Sequence, residues 1–221
     1  MPTAADQRER MVERQLRRRG IVDERVLAAM AAVPRELFVP EEIRARAYAD
    51  AALPIGGGQT ISQPWIVAAI CQALALRGTE TVLEVGGGRG YSAAVLAQLA
   101  QRVVSIELVT ELAREATATL RGYGLGSDRV EVIVGDGSLG HPGEAPYEAI
   151  AVHAAAPGPP RTLLAQLAPG GRLVAPVAEG GDEALIAFAR DGRGRDRFRR
   201  RRIAPCRFVP LLGAEGYAAP R

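Results

Sequence analysis

Lysine and asparagine are both absent from this chain of 221 residues, so all 28 of its basic side chains are arginine. Ordinary surfaces mix arginine with lysine, and the imbalance reads as a GC-rich coding bias. Histidine occurs only at 141 and 153, too rarely for a histidine-rich metal site. The two cysteines, Cys71 and Cys206, make neither a metal cluster nor a disulfide framework. Two buried thiols in a reducing compartment are the expectation. No large charge of either sign stands out: the net value is +3, too small to argue for nucleic acid. Long hydrophobic runs are missing too. The longest nearly apolar stretch, residues 65–76, contains Gln72 and falls short of the ~20 residues that cross a bilayer. The first ten residues hold no apolar core and no small-residue cleavage site, so no secretory signal is visible. A cytoplasmic protein without a membrane span is expected. With 48% hydrophobic and 24% charged residues, the chain has the balance of a globular domain.

What is present falls into two regions. Residues 5–19 are polar and arginine-rich, with Met11, Val12 and Leu16 at helical spacing, and predict a surface helix ending at Gly20. Asp23 can cap a second helix carrying Val26, Leu27, Met30 and Val33, and Pro34 and Pro40 close that region. Residues 50–64 read as loop and 65–76 as helix. From residue 80 short strands alternate with helices: strands at 81–85, 102–106, 130–134, 149–152 and 172–177, helices at 91–100, 110–123 and 161–167. Residues 185–190 and 197–203, joined through Asp191-Gly192-Arg193-Gly194, predict an antiparallel hairpin. The alternation implies βαβ crossovers and an α/β, Rossmann-like doubly wound, mainly parallel sheet with an N-terminal helical extension. One domain over 1–221 is expected, with 1–64 as helices and loop and 65–212 as core and hairpin.

The informative core is Val82-Leu83-Glu84-Val85-Gly86-Gly87-Gly88-Arg89-Gly90, a strand running into glycines before a helix. Glycines let the backbone turn sharply and a ligand approach it closely. Glu107 ends the next strand, where a carboxylate can accept from both ribose hydroxyls. A dinucleotide loop needs G-x-G-x-x-G/A, but here Tyr91 holds the third small position. Glu84, two residues before the loop, suits a cationic sulfonium with an amino-acid tail and would repel a pyrophosphate. S-adenosylmethionine is the better fit. Asp136, ending the third strand before Gly137, is placed to accept from the adenine amino group. All three acids converge at the carboxyl ends of the strands, where such sheets bind ligands.

At these residues the chain resembles the protein-L-isoaspartate O-methyltransferases. The resemblance rests on Gly58-Gln59-Thr60-Ile61-Ser62-Gln63-Pro64, on the glycine loop with Tyr91, on Gly135-Asp136-Gly137 and on Ala154-Ala155-Ala156-Pro157. Val33-Pro34-Arg35, Pro169-Gly170-Gly171-Arg172 and Arg207-Phe208-Val209-Pro210-Leu211 agree with it, over about residues 8–212. It implies methyl transfer from S-adenosylmethionine to the free carboxylate of an L-isoaspartyl residue in a damaged peptide or protein, then collapse to a succinimide and partial repair. By position, Ser62 matches the family's active-site serine and is expected to orient the substrate carboxylate. Thr60, Ile61 and Leu108 would line the cofactor, Glu84, Gly86 and Gly88 would lie at its amino-acid end, Glu107 at its ribose, and Asp136 and Gly137 at its adenine. A monomer without a nucleic-acid partner is expected.

The chain departs from the common bacterial pattern at Gly57, Gly87, Arg89 and His153. Gly57 and His153 are expected around the substrate mouth, with His153 as a satisfied strand-end histidine and a contact to the isoaspartyl peptide as its other reading. The positive run of Arg195, Arg197 and Arg199 to Arg202 reads as a solvated hairpin strand, with a phosphate-binding stripe as the other reading. Two rival functions are an aspartyl carboxyl methyltransferase acting on a biosynthetic peptide, and a nucleic-acid-binding protein or methyltransferase. The latter's Asn/Asp-Pro-Pro-aromatic motif is represented only by Gly158-Pro159-Pro160-Arg161.

Overall fold

Thr3 opens the first helix, accepting from Asp6 N–H while the Asp6 carboxylate accepts from Thr3 N–H, a reciprocal cap, in a computed structural model that describes residues 2–192 and 197–218. The helix is α1 (Ala4–Met11); its winding widens over Val12–Leu16, tightens over Arg17–Arg19 and stops at Gly20, whose φ is +89°. Met11 and Leu16 are fully buried, so this expected surface helix packs one stripe into the core. Asp23 caps α2 (Glu24–Ala32) by accepting from Arg25 and Val26 N–H.

Residues 50–64 are more ordered than expected. They contain an antiparallel hairpin of β1 (Leu53–Gly56) and β2 (Gln59–Ile61), turned through Gly57 and Gly58, both at positive φ. Such turns favour glycine because a side chain is strained there. Pro64 then opens α3 (Pro64–Leu74), which ends two residues before the expected limit at Ala75, itself at positive φ.

The α/β region follows as β3 (Thr81–Val85), α4 (Tyr91–Ala97), β4 (Arg102–Glu107), α5 (Thr110–Gly122), β5 (Val130–Val134), β6 (Tyr147–Val152), α6 (Arg161–Ala165), β7 (Leu167–Glu179), β8 (Asp182–Arg190) and β9 (Phe198–Cys206). The sheet order is β5-β4-β3-β6-β7-β8-β9. The first five strands run parallel, and β8 and β9 extend the sheet by antiparallel pairing. The expected hairpin is therefore the end of the main sheet, and β7 outruns the expected 172–177 because it pairs with β8 from Arg172↔Ala189 to Glu179↔Asp182. Arg193, Gly194 and Arg195 of the expected turn and arginine run lie outside the described residues.

Helices cover both faces. On α5, Leu112, Ala113, Ala116 and Leu120 recur at helical spacing and face the core. The N-terminal helices and α3 to α5 share one cluster with Val82 and Val103, while Leu83, Val85, Val104 and Ile106 point into the other. Alternation along β3 and β4 thus feeds two cores from one sheet.

Candidate active site

The chain leaves β3 for β4 and β5 on one side and returns to β6 on the other, so the strand order reverses between β3 and β6. Ligands of such sheets bind in that crevice, outside the carboxyl ends of the strands. His153 N–H, just past β6, donates to Val85 O at 2.9 Å and holds the two ends together. Gly86 and Gly87 N–H both donate to Ile106 O, at 2.8 and 3.2 Å. At Gly90 φ is +93°, and a Cβ would lie 3.1 Å from Leu120 Cδ1 and 3.3 Å from Ala116 Cβ. Glycine is needed there for the turn and for the approach of α4 to α5.

Two adjoining cavities open above this loop. One is lined by Thr60, Gly86, Gly88, Glu107, Leu108 and Gly137, against the apolar wall of Val85, Ile106 and Leu211. The other is lined by Ile61, Ser62, Arg89 and Tyr91. Thr60, Gly86, Gly88 and His153 border both and mark the join. Of the expected cofactor residues, six therefore share one cavity, and Ile61 lies instead on the Ser62 side. A wider groove of about 550 Å³ leads outward from Ser62 between Trp65 and Phe208, within the usual range of ~300–1,000 Å³ for ligand sites.

Glu107 is buried, and its two oxygens are aimed by the backbone. Oε2 accepts from Gly88 N–H at 2.7 Å and Oε1 from Val109 N–H at 2.9 Å. A carboxylate offers about four lone-pair positions, so two remain for ligand hydroxyls. This donor arrangement and the close glycine backbone fit an adenosyl group.

The two other acids behave differently. Glu84 does not line either cavity; its carboxylate is fully buried, accepting from Ser105 Oγ at 2.5 Å and from the Ser92 hydroxyl. The expected position at the cofactor's amino-acid end gives way to one beneath the loop, because period-two alternation turns residue 84 onto the sheet face under α4. Burial pushes its carboxyl above the ordinary range, against the two hydroxyls that pull it down. Asp136 is likewise engaged by protein: Oδ1 accepts from Ser138 N–H and Oγ at 2.9 and 2.6 Å, and Oδ2 from Ala214 N–H at 2.7 Å. Any contact of its carboxylate with adenine uses the lone pairs that remain, while Gly137 faces the cavity directly.

Ser62 follows β2, and its carbonyl accepts from Arg35 Nη2 at 2.8 Å. No histidine or carboxylate hydrogen-bonds its hydroxyl among the described residues, so the base that a nucleophilic serine needs is missing. Arg35 itself is fully buried, with Nε donating to Ala47 O at 2.7 Å and its guanidinium 4.8 Å from the centre of the Tyr91 ring. It ties the Ser62 segment to the first residue of α4. Sequence patterning offered no sign of this role, because a buried cation without an acidic partner has no periodic signature.

His153 was expected to be satisfied, and it is not. Its Nε2 is buried without a hydrogen-bond partner among the described residues, 3.5 Å from Glu84 Oε1. Burial pulls its pKa down to about 4, so it is the neutral imidazole near pH 7 and no ion pair forms. Because the folded value lies below the usual 6.5, the unfolded chain binds the proton first as the pH drops from about 6.5 to 4, and stability is lost as the pH falls through that window. The raised Glu84 works in the opposite sense above the ordinary carboxyl range. A His153→Leu variant isolates the histidine: the parent should lose on the order of 3 kcal/mol more than the variant between pH 6.5 and 4 in urea unfolding. Parallel stability curves would refute it. Gly57, also expected near the substrate mouth, is exposed in the β1–β2 turn and lines neither cavity nor the groove.

Among the described residues no cluster of His, Cys, Asp or Glu could hold a metal, and no helix is long and apolar enough to cross a membrane. Residues 6–216 match the sequence profile of the family described as Protein-L-isoaspartate(D-aspartate) O-methyltransferase. The chain belongs to this family. A protein-L-isoaspartate O-methyltransferase from Herpetosiphon aurantiacus is 53% identical over 211 residues, 96% of this chain and 92% of that one. One from Methanoregula boonei is 49% identical over 213 residues, 96% of each. Among solved structures, a protein-L-isoaspartate O-methyltransferase superposes with a TM-score of 0.81 at 27% identity, over 94% of this chain and 66% of that one, just under two thirds of its length. A Plasmodium falciparum structure in complex with S-adenosyl-L-homocysteine shares the fold, with a TM-score of 0.79 at 23% identity over 93% and 98% of the two chains. The chain is a protein carboxyl O-methyltransferase that depends on S-adenosylmethionine.

Proposed function

We propose that this chain methylates the free carboxylate of L-isoaspartyl residues in damaged proteins at the join of its two cavities, with Ser62 orienting that carboxylate and Glu107 holding the cofactor ribose. The observation that carries this assignment is the join itself: Glu107 lies in one cavity and Ser62 in the other, with Thr60, Gly86, Gly88 and His153 common to both. S-adenosylmethionine supplies an electrophilic methyl group on a sulfonium. Thr60 and Leu108 flank its adenosyl part, Gly86 and Gly88 let its amino-acid end approach the backbone, and Asp136 with Gly137 borders the adenine. Glu84 supports the loop from beneath.

A carboxylate is already ionised at pH 7, so its attack on the methyl requires no general base. That agrees with a serine without a base beside it and a histidine held neutral. Ser62 donates its hydroxyl to one carboxylate oxygen and leaves the other in line with the methyl. Rate comes from this alignment, which in well-oriented pairs is worth several powers of ten. The methyl ester then closes to a succinimide without further help, and hydrolysis returns part of the damage to aspartate. We read the helical extension and the α/β core as one catalytic domain acting as a cytoplasmic monomer. Two free cysteines, one of them buried, favour a reducing compartment.

A hydrogen bond to a charged group is worth about 1.5–3 kcal/mol. Ser62→Ala should therefore lower kcat for an isoaspartyl peptide about 10- to 100-fold and leave cofactor affinity within twofold. Labelled methyl transfer to an isoaspartyl peptide and its aspartyl twin, with calorimetry of cofactor binding, checks this. An unchanged kcat removes Ser62 from the mechanism, and preference for the aspartyl twin overturns the repair reading.

A further inference from the structure

The far wall of the substrate groove is the end of a strongly charged strand. Ala204, Pro205 and Cys206 of β9 line the groove opposite Ser62 and Trp65, with Arg207 beside them. Before Ile203 on the same strand, the outermost of the sheet, Arg199, Arg200, Arg201 and Arg202 are all exposed. The register sorts them by face. Arg201 and Arg199 stand opposite Ala187 and Ala189, while Arg202 and Arg200 stand opposite Ile186 and Phe188. Ala187 packs on the same core cluster as Trp65, Ile203 and Phe208, so Arg199 and Arg201 share the groove's face of the sheet.

Among the described residues one of these four arginines is paired. On the back Arg200 pairs with Glu179; among the described residues no carboxylate pairs with Arg202 there, or with Arg199 and Arg201 on the groove side. Arg19, at the groove's other wall, already pairs with Asp50. On the groove's face Arg199 and Arg201 thus leave a line of uncompensated charge leading out over β9.

We propose that the groove-side face of β9 binds an acidic flanking segment of the damaged polypeptide, so that the enzyme favours isoaspartyl residues with Asp or Glu nearby in sequence. The proposal rests on the methylation reading and specifies its substrates. At about 3.3 Å per residue, Arg199 lies ~16 Å beyond Ala204. An extended chain beside the strand brings its second to fifth residues past the groove's rim within reach of Arg201 and Arg199. The free edge of β9 also offers backbone groups with which such a segment can pair.

The test uses two isoaspartyl peptides of one core sequence, flanked on both sides at those positions by Glu or by Gln. Exposed ion pairs contribute no more than about fivefold each, so the parent should favour the Glu peptide about 5- to 10-fold, through KM, at 50 mM salt. At 0.5 M salt, where screening acts within a few ångströms, the preference should fall below twofold. An Arg199→Gln/Arg201→Gln variant should lose the preference while keeping its kcat/KM for the Gln peptide and its melting temperature. Equal KM values for the two peptides in the parent overturn this proposal alone. So does an undiminished preference in the variant, or a stripe whose loss weakens only the binding of a single-stranded oligonucleotide. Methylation of neither peptide overturns it together with the methylation reading.

Discussion

Replacing Glu107 by leucine should raise the dissociation constant for S-adenosylmethionine at least 100-fold while leaving the sheet intact. The carboxylate is held by Gly88 N–H at 2.7 Å and Val109 N–H at 2.9 Å, so it is already oriented when the ribose arrives. Two charge-assisted hydrogen bonds to the ribose hydroxyls are each worth about 1.5–3 kcal/mol. Even without full additivity their loss exceeds the ~2.7 kcal/mol that 100-fold represents. The apolar side chain would also leave the half-buried Gly88 N–H without its acceptor, loosening the loop that borders both cavities. Glu107→Gln is the sharper control. It keeps the shape, but its amide nitrogen must face one of the two backbone donors, so an intermediate loss of about tenfold is expected. Calorimetry with S-adenosylmethionine measures both variants, and an affinity for Glu107→Leu within threefold of the parent would remove Glu107 from the cofactor site.

The second large effect belongs to Arg35. Arg35→Ala empties the volume of the largest fully buried side chain and strips Ala47 O and Ser62 O of their donor. Large-to-Ala changes in cores cost about 3–5 kcal/mol, which for a domain of this size lowers Tm by on the order of 10 °C. Arg35→Met separates packing from positioning. It refills most of the space and removes a desolvated charge whose burial itself costs several kcal/mol, offsetting the two unpaired carbonyls at about 1–3 kcal/mol each. Stability should return close to that of the parent. Turnover should not, because nothing then ties the Ser62 segment to α4, and a displacement near 1 Å can cost 100-fold. The expected result is a 10- to 100-fold lower kcat for Arg35→Met with unchanged cofactor affinity. A kcat that recovers together with Tm would show that Arg35 only fills space.

How much of this was legible beforehand differs from residue to residue. The run from Val82 into Gly86-x-Gly88-x-Gly90, with Glu107 ending the next strand, could be placed because a parallel strand, its turn and its helix have nearly fixed lengths. The cofactor cavity followed from it. The hairpin at Leu53–Ile61 was hidden because Pro54 and three glycines suppress strand propensity where only Leu53, Ile55 and Ile61 mark a buried face. Glu84 was placed by distance along the chain, and its actual position depends on which way the pleat turns it. Asp136 was found at the correct strand end, but its partner Ala214 is 78 residues away and no local pattern announces it. His153 and Arg35 eluded the reading for one shared reason. Their significance is that a polar group is buried without a full set of partners, and that is a property of packing, not of spacing.

The hold on Asp136 has a consequence for the enzyme's own ageing. An aspartate followed by glycine is the bond most prone to rearrange, because the glycine nitrogen is unhindered when it attacks the side-chain carboxyl. Asp136-Gly137 is such a pair at the edge of the cofactor cavity. Burial alone would push the Asp136 carboxyl up; the Ser138 hydroxyl and the Ala214 and Ser138 N–H groups hold it below its ordinary range, in the ionised form that closes the ring least readily. The same contacts hold both carboxyl oxygens to Ser138 and Ala214, and Gly137 is itself buried. The chain's other aspartyl-glycyl pair, Asp191-Gly192, is exposed at the outer end of β8. Wear is thereby directed to a position far along the sheet from the cofactor, and an old molecule of this repair enzyme can accumulate there the lesion it corrects in others while its own methyl-transfer site stays whole.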